Sequence, residues 1–395
     1  MRCLWLTLAD PEPQHNGQFI YSGGLIDSFA NSGADVGALG LSRPESHRYN
    51  GLREGRVTWW LAKSRPLSHW TSLRSCLPNI ANRCRTPEMQ SLLDQQLLEN
   101  KWDVIVFDGL SSVWALDSVL RQYPSAGKRP KIVYISHNHE ESLRRQLTAC
   151  QPYFVKRQAM RLDWVKTAVM ERALVRAADL VTAITPEDYA AYHQQWPRKR
   201  IEVLTPGYRG RAVPTREITG RVPRRAVIVG SFDWVAKRIN LEEFVNAADS
   251  LFTKHGIELQ VIGSGDEAFF RIMQDRTSAT QFTGTVDRIE NYLDQARVAI
   301  VPERAGGGFK LKVLEYVFNR MPILAINGSA AGVPLNNNES ILLFPGQNEL
   351  ANGVIRSIDN FEKLNQLQNA AYSACCDRFD WGSRGARLAS AIGSL

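Results

Sequence analysis

Apolar residues in this chain fall into short continuous runs, and between the runs they recur every third or fourth position. Runs of the first kind, bounded by Gly, Pro and Asp, predict strands buried on both faces, and the second spacing predicts the helices that cover them. Seven strands are expected in the first half: 3–8 (CLWLTL), 34–41, 57–62, 103–109 (DVIVFDG), 131–138 (KIVYISHN), 180–185 and 201–206. The rhythm then breaks at 207–225 (GYRGRAVPTREITGRVPRR), a stretch rich in Gly, Pro and Arg that reads as a linker. Six more strands follow at 226–232, 259–265, 280–284, 298–303, 322–328 and 340–346. The last segment, 379–395, carries Leu388, Ala389 and Ile392 at helical spacing. The expected fold class is α/β, with two facing, doubly wound, Rossmann-like domains at 1–206 and 226–378, the linker 207–225 between them, and a helix at 379–395 that returns toward the first domain. Ligands of such sheets sit at the carboxyl ends of the strands, so a cleft between the domains is the expected site.

Composition narrows the class. With 395 residues and 44% hydrophobic content the chain is globular and too long for one comfortable core. Cys3, Cys76, Cys84, Cys150, Cys375 and Cys376 show no paired metal-ligand spacing, which suits a reducing compartment. The opening residues lack a small-residue cleavage site, and no window reaches the roughly 18 apolar residues of a membrane span. A cytoplasmic protein is expected, soluble or peripheral on the inner face of the membrane. Net charge is +8, and the surplus is uneven: residues 1–205 hold 26 Lys and Arg against 20 Asp and Glu, while 206–395 hold 22 against 20. Without zinc-finger spacing or an interleaved aromatic signature, nucleic acid is not the expected partner. An anionic membrane surface or a phosphate-bearing substrate fits the surplus better.

The most informative stretch starts at 302, PERAGGGFKLKVLEYVFNRMPILAING. Gly306, Gly307 and Gly308 let backbone N–H groups approach a ligand after a strand, and the helix that follows offers its partial positive end. Lys310 and Lys312 add charges suited to a diphosphate, and Glu315, in the second turn of the helix, suits a ribose diol. The plainer explanation is that glycine-rich turns are common and that the lysines are simply solvated.

The order of elements resembles the family 4 glycosyltransferases of the GT-B fold. The similarity is strongest to a bacterial subgroup with a GxGxxLKxLE-like donor motif, which here reads GGGFKLKVLEYVFNRMPILA. Other pieces that resemble the family are SGGLIDSFANSGADV (22–36), ISHNHEE (135–141), ERALVRAADLVTAITPEDYAAY (171–192), VIVGSFDWVAKRINLEEFVNAA (227–248) and QFTGTVDRIENYLDQARVAIVP (281–302). The match is weakest between about 42 and 100. The resemblance implies a retaining transferase that moves a sugar from a nucleoside diphosphate donor such as a UDP-sugar to a glycan, lipid-linked or small-molecule acceptor, as in bacterial surface polysaccharide or glycolipid synthesis. On the same grounds it implies catalytic roles for His137, Lys237 and Lys312, and donor binding by Gly23, Gly24, Arg238, Gly306, Gly307, Gly308, Phe309, Lys310 and Glu315. Asn138 and Glu140 fall on the acceptor side. Lys237 and Arg238 compete for one diphosphate role, because AKR aligns either way. No D-x-D string occurs in the chain. No metal and no cofactor are therefore expected, and Lys237, Arg238 and Lys312 would supply the positive charge.

One departure stands out. Many relatives carry two glutamates eight positions apart; Glu315 is the second, and the first falls on Gly307, with Glu303 or Arg304 as a candidate helper. A nucleotide-sugar epimerase of the same fold and a catalytically silent nucleotide-binding partner of another transferase remain open beside the transferase. The plainer explanation of His137 is that a histidine at a strand end is often a surface or capping residue, and its neighbour His139 is a decoy. The helical pattern at 141–176 mixes Arg and Lys with Leu, Phe, Met and Trp, which fits either an anionic bilayer or an ordinary half-buried helix.

Overall fold

A computed structural model shows two compact units, Met1–Gly207 with Asp380–Leu395, and Tyr208–Phe379. It describes all residues except 15, 64–71, 73, 125–128, 150, 234 and 304–307. The first unit holds β1 (Arg2–Ala9), β2 (Asp35–Leu41), β3 (Arg53–Glu54), β4 (Val57–Ala62), β5 (Val104–Asp108), β6 (Lys131–Ile135), β7 (Leu180–Ala183) and β8 (Ile201–Val203). These form one sheet in the order β3-β4-β2-β1-β5-β6-β7-β8, parallel throughout except for the short antiparallel β3–β4 pair. The second unit holds β9 (Arg225–Val229), β10 (Glu258–Ile262), β11 (Thr280–Gly284), β12 (Val298–Val301), β13 (Ile323–Ile326) and β14 (Leu342–Phe344), all parallel, in the order β11-β10-β9-β12-β13-β14.

Both sheets are buried on two faces, which is why their strands read as continuous apolar runs rather than as alternation. Val227, Ala299 and Ile323 pack into one layer of the second unit, and Ala226, Ile228 and Ile300 into the other. Helix starts follow local chemistry. Thr86 and Thr185 each cap a helix whose first residue is proline, Pro87–Glu99 and Pro186–Gln195. Asn16 caps Gly17–Asn31, and Asp266 caps Glu267–Gln274.

The thirteen expected strands are all present; β3 is additional, a two-residue edge strand too short to show a period. The segment expected as a linker divides differently. Gly207 closes the first unit, and the chain from Tyr208 onward belongs to the second. It has no regular structure there up to β9, yet it is tied down: Ile218 is buried, and the Arg216 guanidinium donates to the carbonyls of Leu293 and Ala296, both at 2.7 Å.

The C-terminal helix Trp381–Gly393 belongs to the first unit and lies against Gly17–Asn31. The two backbones touch: a Cβ on Gly385 would stand 2.1 Å from the Ser28 carbonyl oxygen. Gly385→Ala should therefore cost about 1–3 kcal/mol through overpacking, although alanine is the better helix former. The measurement is the urea unfolding free energy, and an unchanged or raised value would show that this crossing yields freely.

Candidate functional site

The strand order of each sheet reverses once, between β1 and β5 in the first unit and between β9 and β12 in the second. Loops diverge at such points and leave a crevice at the carboxyl ends of the strands. The chemistry-bearing residues of each unit gather there.

In the second unit β9 runs into Gly230 and β10 into Gly263. Gly263 has φ of +133°, and a Cβ on it would stand 1.7 Å from the Gly230 oxygen, so no other residue fits. Beyond Gly230, the hydroxyls of Ser231 and Ser264 both donate to Asp233 Oδ2, at 2.5 and 3.0 Å. β12 leads to Glu303, whose side chain is 7% exposed. Its Oε1 accepts from Lys312 Nζ, and its Oε2 has no hydrogen-bond partner among the described residues. Burial pushes the Glu303 carboxyl up, but Lys312 with Lys310 and Lys237 outweighs it and holds the group below the usual carboxylate range. Lys237 answers in kind: burial, then repulsion from Lys312, lowers its ammonium pKa against the pull of Glu303 and Asp233. Three lysines thus surround one buried carboxylate, leaving positive charge in excess at the end of the sheet.

Lys312 lies in the first turn of the helix Leu311–Phe318, and Glu315 one turn further on. Glu315 Oε1 accepts from Asn319 Nδ2 at 2.7 Å and from the Tyr208 hydroxyl at 3.1 Å, while Oε2 takes no hydrogen bond among the described residues. Burial raises its pKa, Tyr208 and Asn319 oppose, and Glu290 adds to the rise. Phe309 packs on Phe379 with ring centroids 5.9 Å apart, and Gly308 takes φ of +78°. Arg238 turns elsewhere: its guanidinium is 3.8 Å from Asp266 and 6.0 Å from the Phe269 ring centroid. Arg304, Gly306 and Gly307 lie outside the described residues.

In the first unit β5 ends on Asp108, and His137 follows β6 by two residues. Asp108 is fully buried; its Oδ1 accepts from His137 Nε2 at 2.6 Å and its Oδ2 from Trp5 Nε1 at 3.0 Å. Burial pushes the Asp108 carboxyl up, but His137 and the indole hold it below its ordinary value. A carboxylate can only accept, so the imidazole presents Nε2–H to it. The Tyr21 ring meets the imidazole edge-on at 5.3 Å.

The segment after His137 is held from below. Asn138 Nδ2 donates to Glu140 Oε1 at 3.2 Å. The Asn138 carbonyl accepts from Ser136 Oγ at 2.6 Å and from the Tyr192 hydroxyl at 3.2 Å. Glu171, buried in the helix Phe154–Ala177, accepts the N–H groups of Glu140 at 3.0 Å and Glu141 at 2.8 Å, the first residues of the helix Glu140–Ala149, and the Tyr192 hydroxyl at 2.6 Å. Carboxyl oxygens at a helix N-terminus are well placed to accept from such donors. His139 is buried with its Nδ1 2.8 Å from Ser142 Oγ, a capping arrangement.

Gly23 and Gly24, named above for donor binding, do not stand at the start of a helix. Asn16 does, and both glycines lie inside Gly17–Asn31, where helix bonding engages their amides. Gly24 exists to admit Trp381, whose ring a Cβ would meet at 2.4 Å.

Residues 223–360 match the family model described as Glycosyl transferases group 1. That segment is a glycosyltransferase domain. Solved structures similar to the whole chain include the following three. Sucrose-phosphate synthase from Thermosynechococcus elongatus is 18% identical, with 100% of this chain and 99% of that one covered and a TM-score of 0.75. Anabaena Alr3699/HepE, solved in complex with UDP-glucose, is 13% identical over 100% of both chains, with a TM-score of 0.66. WaaG, a glycosyltransferase involved in lipopolysaccharide biosynthesis, is 15% identical over 100% of both, with a TM-score of 0.63. No curated protein matches by sequence. With two parallel-sheet units, the fold is GT-B.

The glycosyltransferase domain therefore contains Lys237, Lys310, Lys312 and Glu315 together, while His137, Asn138 and Glu140 belong to the other unit. Sequence reasoning did not single out Asp108, Glu171, Tyr192, Tyr208 or Asn319 as site residues. Asn319, four positions after Glu315 on one helix, had a local signal; the others had none.

Burial raises the Glu171 carboxyl from 4.5 to about 8, the Tyr192 hydroxyl and the two N–H groups opposing and Glu140 adding to the rise. The folded state thus holds a proton that the unfolded state releases. The stabilisation from this proton is full below pH 4.5 and is lost as pH rises through about 8. Glu171→Gln should lower stability by about 1–3 kcal/mol, since one backbone N–H then faces an NH2 group, and should flatten that decline. Urea unfolding of both proteins at about pH 5 and about pH 9 checks it; parallel pH dependences would remove the titration from Glu171.

Proposed function

We propose that this chain is a retaining, metal-independent glycosyltransferase of the family 4 type, using a UDP-glucose-like donor and a glycan, lipid-linked or small-molecule acceptor. The observation that carries this reading is the lysine cluster around buried Glu303 at the β9/β12 reversal, with Glu315 one turn along the same helix. A nucleoside diphosphate leaving group gains charge as the glycosidic bond breaks, and Lys237 and Lys312 supply compensating charge without a metal. Lys237 suits that role better than Arg238, which is engaged with Asp266. Glu315 Oε2 accepts from the ribose diol. Glu303, with one oxygen unpartnered among the described residues, stands in for the carboxylate that Gly307 replaces and accepts from sugar hydroxyls. His137, held by Asp108, acts at the sugar.

Incubation with UDP-sugars and candidate acceptors, read by proton NMR, tests the reaction. The expected product keeps the anomeric configuration of the donor, and its rate is unchanged by EDTA. Inversion would overturn retention, loss of rate in EDTA would overturn metal independence, and free epimerised donor would identify an epimerase. Nucleotide binding with neither transfer nor donor hydrolysis would leave a silent partner.

Glu315→Gln should weaken UDP binding by roughly 1.5–3 kcal/mol, the scale of a charge-assisted hydrogen bond. Calorimetric titration measures it, and unchanged affinity would remove the ribose from Glu315.

A further inference from the structure

The helix Phe154–Ala177 has two faces with different work. Its inner face carries Glu171, Leu174 and Val175 into the first unit. Its outer face leaves apolar side chains in water: Val155 is 79% exposed, Val169 60%, Val165 53% and Leu162 43%. Spacings of seven, three and four put these four on one stripe of a helix. Tyr153 and Phe154, each 65% exposed, extend it at the N-terminal end. A stripe of this length on one helix is more than scattered surface apolar residues.

The charges beside the stripe have one sign. The helix contains two acidic residues, and both are occupied: Asp163 accepts the Asn79 N–H at 2.7 Å, and Glu171 is buried. Lys156 and Arg161 are exposed and Arg157 is half-buried; none of them, nor exposed Arg145 on the preceding helix, forms an ion pair among the described residues. Lys156 and Arg157 lie over the aromatic pair, 5.2 Å from the Tyr153 ring centroid and 5.9 Å from that of Phe154.

We propose that this face docks on an anionic phospholipid bilayer, the apolar stripe entering the headgroup boundary and Lys156, Arg157 and Arg161 meeting lipid phosphates. Arg161 flanks the stripe, while Lys156 and Arg157 stand farther round the first turn, where their long side chains lie over the exposed Tyr153 and Phe154 rings; an apolar stripe bordered by long cationic side chains, with no exposed carboxylate on the helix, matches the layered chemistry of that boundary. A second copy of the chain fits less well, because it would bring the same cations against these. Attachment is peripheral, since no described helix is long and apolar enough to cross a membrane. The docked helix is the one whose Glu171 holds the segment after His137, so the first unit's site segment and the membrane face share one rigid element. Docking is independent of the transfer reaction proposed above.

The test is co-sedimentation of the full chain with vesicles of phosphatidylcholine alone and with added phosphatidylglycerol. Binding is expected to the anionic vesicles and to weaken as salt is raised. Lys156→Glu with Arg161→Glu should lower partitioning by about 25-fold, at about fivefold for each cation lost. Val165→Ser with Val169→Ser should lower it by a similar factor while leaving the thermal midpoint unchanged, because the side chains are exposed. Equal binding to both vesicle types, or wild-type binding by either folded double variant, overturns the proposal. So does concentration-dependent dimerisation in light scattering that the valine variant abolishes, which would assign the face to a second copy.

Discussion

Parallel strands must all be re-entered from the same end, so their carboxyl ends gather along one edge, and every loop that leaves that edge starts with backbone groups that the sheet does not pair. Both units obey this constraint, and both place a buried carboxylate at the reversal of strand order. In the first it is Asp108, matched by His137 and Trp5; in the second it is Glu303, matched by Lys312. Burying a charge without a partner is too costly to tolerate, so each carboxylate dictates a base beside it. Imidazole and ammonium are thereby each held at the carboxyl ends of their own sheet.

The two pairs differ in what is left over. Asp108 satisfies both its oxygens on donors within the unit, His137 Nε2 and Trp5 Nε1. Among the described residues Glu303 leaves an oxygen unpartnered, and it sits among three lysines, one of which it cannot fully compensate: burial, and then repulsion from Lys312, lower the basicity of Lys237. Positive charge concentrated in a partly buried place is relieved by an anion. A diphosphate there would gain from charges the fold has already assembled.

The helix Phe154–Ala177 ties local order at the first unit's site to the molecular surface. Its carboxylate at 171 replaces the missing hydrogen-bond partners at the start of the helix Glu140–Ala149, and that start immediately follows His137 and Asn138. Tyr192 and Ser136 close the same network on the Asn138 carbonyl. The loop is therefore ordered by buried groups on two other helices, Glu171 and Tyr192, together with its own Ser136.

What the sequence by itself determined is the inventory of elements and the chemistry of one turn. Burial on two faces writes itself as an apolar run, and helix caps as Thr-Pro, because both effects act over a few residues; hence the strands and the placement of Lys312 and Glu315 in the turns of one helix could be read directly. Composition misled at 207–225, because Gly, Pro and Arg report the lack of regular local structure and say nothing of tertiary partners such as those of Arg216. The glycines at 23 and 24 misled for the same reason, since a glycine that admits Trp381 and one that frees a loop look alike in one dimension. Only the tertiary structure decided that Asp108 holds His137, that Glu171 holds Glu140 and that Tyr208 holds Glu315, across 29, 31 and 107 positions. Those pairings depend on which strands neighbour each other and which way their ends point, and strand order is settled by the packing of the whole sheet.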